Sequence, residues 1–261
     1  MKKRSLGAAV ALTLAPHLAF AGDASSALIE RDYRRPYRTI ATSPQNFAFE
    51  LRFGSYAPQI DDDPRLHGRP YEVAFGGDRA AYFGLELDWQ AARIPYLGTL
   101  GPGVSWGYVH KTATAAFALG PNAGQPSGEQ THLTIMPMYA VAVLRIDVLM
   151  RELELPLVPY LKAGLGYALW SATNDLGVSR SRDGVLGHGH STGTHLAFGG
   201  MLLLDPLDRS AALGFDEEMG VNHSYLFFEW QMPSLNGQLP GAGTQMHVGT
   251  SSWVLGLALE F

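Results

Sequence analysis

The chain has 261 residues, of which 46% are hydrophobic and 16% charged, with no cysteine and a formal net charge of −5. The missing cysteines exclude a disulfide scaffold and any thiolate metal site, and the acidic balance argues against a nucleic-acid partner. No apolar run reaches the length of about 18 residues that a membrane-spanning helix needs, so a helical inner-membrane protein is excluded as well.

Met1-Lys-Lys-Arg4 is a positive start, and an apolar stretch follows from Leu6 to Phe20. Ala19 and Ala21 then flank a small-x-small cleavage pattern, so residues 1–21 read as a secretory signal peptide, with Gly22 as the first mature residue. Cleavage takes three cations and no acid, leaving 16 basic against 24 acidic residues and a mature net charge of −8. Residues 22–45 carry Arg31, Arg34, Arg35 and Arg38 with little apolar content and read as a loosely ordered periplasmic segment.

From residue 46 onward the pattern has period two. Residues 46–56 set Phe47, Phe49, Leu51 and Phe53 against Glu50 and Arg52, and residues 81–90 set Phe83, Leu85, Leu87 and Trp89 against Glu86 and Asp88. Large apolar groups on one face and charges on the other suit a wall between lipid and a polar lumen. The third strand, 103–112, turns Val104, Trp106 and Tyr108 outward. The fourth, 131–147, begins with Leu133, Ile135 and Tyr139 on one face, and a β-bulge near 140–144 is expected to turn Arg145 and Asp147 inward.

The fifth strand, 158–170, opposes Leu161, Leu165, Tyr167 and Leu169 to Lys162 and small residues. The sixth, 193–204, offers Leu196, Phe198, Leu202 and Leu204, and the seventh, 222–232, opposes Leu226, Phe228 and Trp230 to Tyr225, Phe227 and Glu229. The last strand sets Trp253, Leu255, Leu257 and Leu259 against Glu260 and ends on Phe261. A terminal aromatic of this kind resembles the signal by which outer-membrane barrels are recognised by the barrel-assembly machinery. Mean hydropathy is −0.00, as expected where lipid-facing and lumen-facing residues cancel.

These features predict an all-β fold for residues 46–261: an eight-stranded antiparallel transmembrane up-and-down β-barrel in the bacterial outer membrane, monomeric or weakly associated. With Phe261 on the periplasmic side, the long outer loops are 57–80, 113–130, 171–192 and 233–245. Short helices are expected in the periplasmic turns, one of them capped by Asp205 with Pro206 at its first position and another near 147–157.

Eight strands leave room for little beyond side chains, so no general pore is expected. Glu50, Glu86, Asp88, Glu229 and Glu260 oppose Arg52 and Lys162 inside, forming an ionic plug that fixes register or, alternatively, a gated polar path. Asn222-His223-Ser224 begins a strand on the periplasmic side, the wrong face for outer-leaflet lipid chemistry, and no catalytic residue is assigned. His110, His132, His195, His247 and the Gly187-His-Gly-His190 loop read as solvated outer-rim histidines rather than metal ligands, and Asp61-Asp62-Asp63 as a solvated acidic turn. No cofactor is expected. The expected contacts are outer-membrane lipid and lipopolysaccharide. A non-enzymatic barrel presenting its loops is the leading reading, ahead of a narrow channel or hydrophobic-solute conduit and of a lipid-modifying enzyme.

Several strings resemble a family of outer-membrane β-barrel proteins of myxobacteria and relatives. They are Phe47-Ala-Phe-Glu-Leu-Arg-Phe-Gly54, Leu85-Glu-Leu-Asp-Trp89 with Arg93-Ile-Pro95, and Gly98-Thr-Leu-Gly-Pro-Gly103. Pro156-Leu-Val-Pro-Tyr-Leu-Lys-Ala-Gly-Leu-Gly166 and the stretch from Phe215-Asp216 through His223-Ser-Tyr-Leu-Phe-Phe-Glu229 complete the set. The resemblance spans nearly the whole mature chain and implies an outer-membrane barrel, with no activity or catalytic residue to carry over.

Overall fold

The computed structural model describes residues 46–66, 68–116, 125–175, 177–179, 186–237 and 245–261. The segment read as a signal peptide, with Ala19 and Ala21, and the arginine-bearing segment to residue 45 lie outside them. Ten strands run in chain order as β1 Phe47–Tyr56, β2 Ala80–Trp89, β3 Ala92–Ile94, β4 Gly98–Ala116, β5 Pro126–Arg145, β6 Leu157–Asn174, β7 Gly177–Val178, β8 His188–Leu203, β9 His223–Gln231 and β10 Ser252–Glu260. Three short helices accompany them, α1 Pro70–Phe75, α2 Val148–Leu153 and α3 Arg209–Met219.

Eight of the strands close a ring. The order β2-β1-β10-β9-β8-β6-β5-β4 returns to its start because β4 also pairs with β2, and every pairing is antiparallel. β3 and β7 are short additions on β4 and β6. Across the span where all eight strands pair, closure leaves no free sheet edge, which a strand structure in lipid requires. The outward faces carry Leu161, Leu165, Leu196, Phe228 and Leu255, each about half exposed, while the residues between them are buried in the lumen. The protein is an outer-membrane-type β-barrel, crossing the bilayer by strands. None of the described helices is long and apolar enough to span.

The inward faces fit by pairing rings with glycines. A Cβ on Gly256 would stand 2.6 Å from the Phe227 ring, so the strand pair β9–β10 admits that aromatic only because position 256 has no side chain. Phe261 sits at the inner end, where Phe47 and Phe261 exchange backbone hydrogen bonds of 2.8 and 3.0 Å and their rings lie 6.2 Å apart.

The wall is uneven. β1, β2, β9 and β10 have nine or ten residues, the minimum for a tilted crossing, whereas β4, β5, β6 and β8 have 16 to 20 and stand above the bilayer on the outer side. The long side therefore replaces with strand much of what the sequence reads as outer loop.

Three expectations need correction. β5 pairs with β6 without interruption from Thr131 to Arg145, so no bulge interrupts 140–144. Leu133, Ile135, Tyr139, Val141 and Val143 all face inward in one parity with Arg145, so β5 lines the lumen with apolar groups down to the level of the buried charges. The inner-mouth helix starts later than expected: Asp208, not Asp205, caps α3, accepting the backbone N–H groups of Ser210 and Ala211 at 3.0 Å each. Its hydrogen bond with Ser210 holds the Asp208 carboxyl below its ordinary pKa. Helices are also not confined to the inner turns, since a 3-10 turn (Gln59–Asp62) and α1 occupy the first outer loop.

Candidate functional site

Register places Glu50 of β1 directly opposite Glu86 of β2. Two carboxylates so placed repel each other and must share cations. Arg52, two residues along the same inward face, donates through Nη1 to Glu50 at 2.6 Å and Glu86 at 2.8 Å, and through Nη2 to Glu229 of β9. Lys162 reaches across from β6, its Nζ 2.8 Å from Glu50, 2.5 Å from Glu86 and 3.3 Å from Glu229.

A second tier lies toward the inner end. Arg145 of β5 donates to Asp88 at 2.7 Å, to Glu260 at 2.9 Å and to Glu50 at 3.2 Å. Glu260 also accepts from the Tyr225 hydroxyl at 3.0 Å and from Gln90 at 2.7 Å. Glu50 touches all three cations and ties the tiers together. Arg52 further lies 5.6 Å from the centre of the Phe227 ring and Lys162 5.0 Å from that of Tyr160.

All seven charged residues singled out in the sequence thus meet in one buried network. Arg145 completes it and needs no bulge to do so, and Tyr225 and Gln90 are members that alternation alone does not distinguish. Five carboxylates face three cations at full burial, with a formal surplus of two negative charges. The Glu50, Glu86 and Asp88 oxygens come within 4.8 Å of one another, and Arg52, Lys162 and Arg145 already stand among them.

The outer half of the lumen is of another kind. Tyr56, Ile135, Tyr139, Leu235 and Val248 are buried there, the last two supplied by the β9–β10 connection. That connection, expected as an outer loop, turns into the barrel: Val248 accepts from the Tyr56 hydroxyl, and Val248 N–H donates to Leu235 at 3.0 Å.

His195 is likewise not a rim residue. It is buried in the lumen and stacked on Tyr139 at 4.1 Å. His188 and His190 belong to β8 rather than to a loop, and His190 stacks on Tyr167 at 5.6 Å. His110 and His132 stack at 5.6 Å, with Thr134 and Thr112 at their ring nitrogens, and His247 stands 3.9 Å from Asp63. The acidic turn has structural employment: Asp61 accepts the N–H groups of Tyr71 and Glu72 at 2.7 and 2.9 Å, capping α1, and Asp63 holds Arg65.

At the inner rim, His223 Nδ1 lies 2.5 Å from Asp205, and the Ser224 backbone N–H and hydroxyl turn to the same carboxylate. Serine and histidine compete for one acid rather than meeting each other, so the triplet lacks the nucleophile–base contact of acyl-transfer sites.

No family model and no curated protein matches the chain. Among solved structures it is similar in chain path to the outer membrane protein OprG from Pseudomonas aeruginosa, at 11% identity, 85% of this chain, 98% of that one and a TM-score of 0.49. Neisserial surface protein A follows at 13%, 84%, 98% and 0.45. The outer membrane enzyme PagL stands at 13%, 82%, 99% and 0.38. Likeness of this degree concerns the barrel path alone.

Proposed function

We propose that the protein is a non-enzymatic barrel of the bacterial outer membrane that passes no solute and acts by presenting its outer loops. One observation carries this reading: the lumen is crossed at two successive levels, by the buried ionic network and by Leu235 and Val248 of the β9–β10 connection, both of them buried. Opening the first would strand buried charge, which is costly. The Asp205-centred contacts of His223 and Ser224 speak against acyl transfer at that rim. On the outer surface a hollow of about 460 Å³, lined by Gln59, Asp62, Arg69, Glu72 and Ser251, offers a loop partner groups of both charges.

Planar-bilayer recording tests the reading. The wild-type protein is expected to give no discrete conductance steps, and Arg52→Ala is expected to produce them. Steady steps in the wild type would overturn the closed lumen. Lipid-A mass spectra that change on overexpression would overturn the non-enzymatic assignment.

A further inference from the structure

The outward face of the long strands changes character where it leaves the hydrocarbon. A tilted strand crosses in about ten residues. Counted from their inner ends at Gly98, Arg145, Leu157 and Leu203, β4, β5, β6 and β8 emerge near Tyr108, Ile135, Tyr167 and Gly193. Trp106, Tyr108 and Tyr167 stand on the outward face at this level, as interfacial aromatics do. The next outward positions carry imidazoles and hydroxyls. Pairing aligns His110, Thr134, Ser171 and His188 in one row across the four strands, and Thr112, His132 and Thr173 in the row beyond. His190 lies two residues from His188 on the same face of β8, opposite Leu169.

Two histidine pairs result. On β4 and β5, Tyr108 stacks on His110 at 6.4 Å and His110 on His132 at 5.6 Å; the Thr134 and Thr112 hydroxyls stand 3.1 and 3.3 Å from the His110 nitrogens, and Thr112 3.0 Å from His132 Nδ1. On β8, His188 and His190 share the outward face, with Tyr167 stacked on His190 at 5.6 Å. No three histidine or acidic ligands converge at either pair among the described residues, so neither is built as a metal centre. Imidazoles set among hydroxyls are suited to an oxyanion instead. The neighbouring charges are occupied: Lys111, of inward parity, faces Asp78 at 3.8 Å, and Arg79 donates to Ser55 at 3.2 Å. Asp175, at the outer margin, accepts the Gln130 N–H at 3.1 Å.

Just below this band the same wall has an open apolar hollow of about 650 Å³. Leu85, Val104, Trp106, Met138, Leu165 and Tyr167 border it, and Ala140, paired between Val104 and Leu165, is the short side chain among them. We propose that hollow and band together seat one lipid of the outer leaflet whose headgroup carries two phosphates. An acyl chain lies in the hollow, one phosphate rests on His110 and His132, and the other rests on His188 and His190. The two seats are three strand spacings apart, about 14 Å, which calls for a wide headgroup. An imidazole beside a phosphate takes up a proton and answers its charge. The site continues the lipid-facing band of the barrel and asks nothing of the lumen, so a conducting barrel would carry it equally.

The test titrates the barrel in detergent with diphosphoryl lipid A and with the same lipid after phosphatase treatment, counting bound lipid by native mass spectrometry. Loss of the phosphates is expected to lower affinity at least roughly tenfold. His110→Gln with His132→Gln, and separately His188→Gln with His190→Gln, should each weaken the diphosphoryl form and leave the dephosphorylated form unchanged. The wild-type preference should shrink between about pH 6 and about pH 8.5, and the variant lacking all four histidines should not respond. Ala140→Trp fills the hollow and should weaken both lipids. Equal wild-type affinity for the two lipids would overturn the phosphate seats, whether or not any variant inserts. Displacement of the diphosphoryl lipid by inorganic phosphate down to the level of the dephosphorylated one would reduce the band to a free-phosphate site. Unchanged binding in Ala140→Trp would overturn the seat of the chain.

Discussion

The two halves of the lumen are filled by different means. At the inner half the closing groups are side chains of β1, β2, β5, β6, β9 and β10, each rooted in a strand paired on both sides. At the outer half the closing groups are Leu235 and Val248, carried by a connection that holds β8 through a handful of bonds. A wall-borne ionic closure yields only if buried carboxylates lose their cations, whereas a loop can leave as one local unit while the barrel stays intact. The difference divides the molecule into a fixed floor and a displaceable stopper.

The largest expected effect breaks the floor. Arg52→Met removes the guanidinium shared by Glu50, Glu86 and Glu229, leaving Glu86 and Glu229 to Lys162 and Glu50 to Lys162 and Arg145. A loss of about 3–5 kcal/mol is expected, the range for removing one partner of a buried ion cluster. It would be read from the urea midpoint of folding in detergent and from heat-modifiable gel migration. Adding Glu229→Leu should recover much of it, because the pair leaves together. An unchanged midpoint in Arg52→Met would mean that the network closes nothing.

The inner half was legible in the sequence for a physical reason. On β1, β2, β6, β9 and β10, outward leucines and aromatics alternate with inward charges, so parity and sidedness can be read together. On β5 parity survives but sidedness does not: Leu133, Ile135 and Tyr139 face an apolar part of the lumen while Met136 and Ala140 face lipid, and Arg145 alone marks the inside. The sequence reads His195 as a rim residue for the same reason, since nothing in alternation announces an apolar upper chamber. Asp205 and Asp208 both have capping chemistry three residues apart, and the choice was made by His223 and Ser224, which engage Asp205 from a later strand. The path of the β9–β10 connection depends on how far β8 outruns β9, a property of strand lengths in three dimensions rather than of local pattern.

A smaller effect is expected at the stopper. Leu235→Ala removes a fully buried side chain, a change that costs about 2–5 kcal/mol in a rigid core. Here it should appear as local loss, with faster amide exchange confined to residues 232–237 and 245–250 and little movement of the global urea midpoint. A midpoint that falls as far as in Arg52→Met would show that the two halves open together, and the division into floor and stopper would fail.

The smallest effect concerns the tie that holds the stopper to the first outer loop. Arg65 donates to both Asp63 oxygens, at 2.8 Å and 2.7 Å, and to the Gln245 carbonyl at 2.6 Å. Its hydrogen bond lowers the Asp63 carboxyl from the ordinary 3.8 to about 2, against the opposing effect of burial. The folded form therefore binds this proton less readily than the unfolded one. The contact contributes fully above about pH 4 and is lost as pH falls toward 2. Arg65 is half exposed, so the gain is screened and modest. A carboxyl carbon NMR titration should place the Asp63 midpoint near 2 in the wild type and near its ordinary value in Arg65→Ala. The same variant should speed amide exchange at residues 245–248 at neutral pH. An unshifted midpoint in Arg65→Ala would leave Gln245 held from within the lumen alone, and the stopper would then depend on Leu235 and Val248 without help from the first loop.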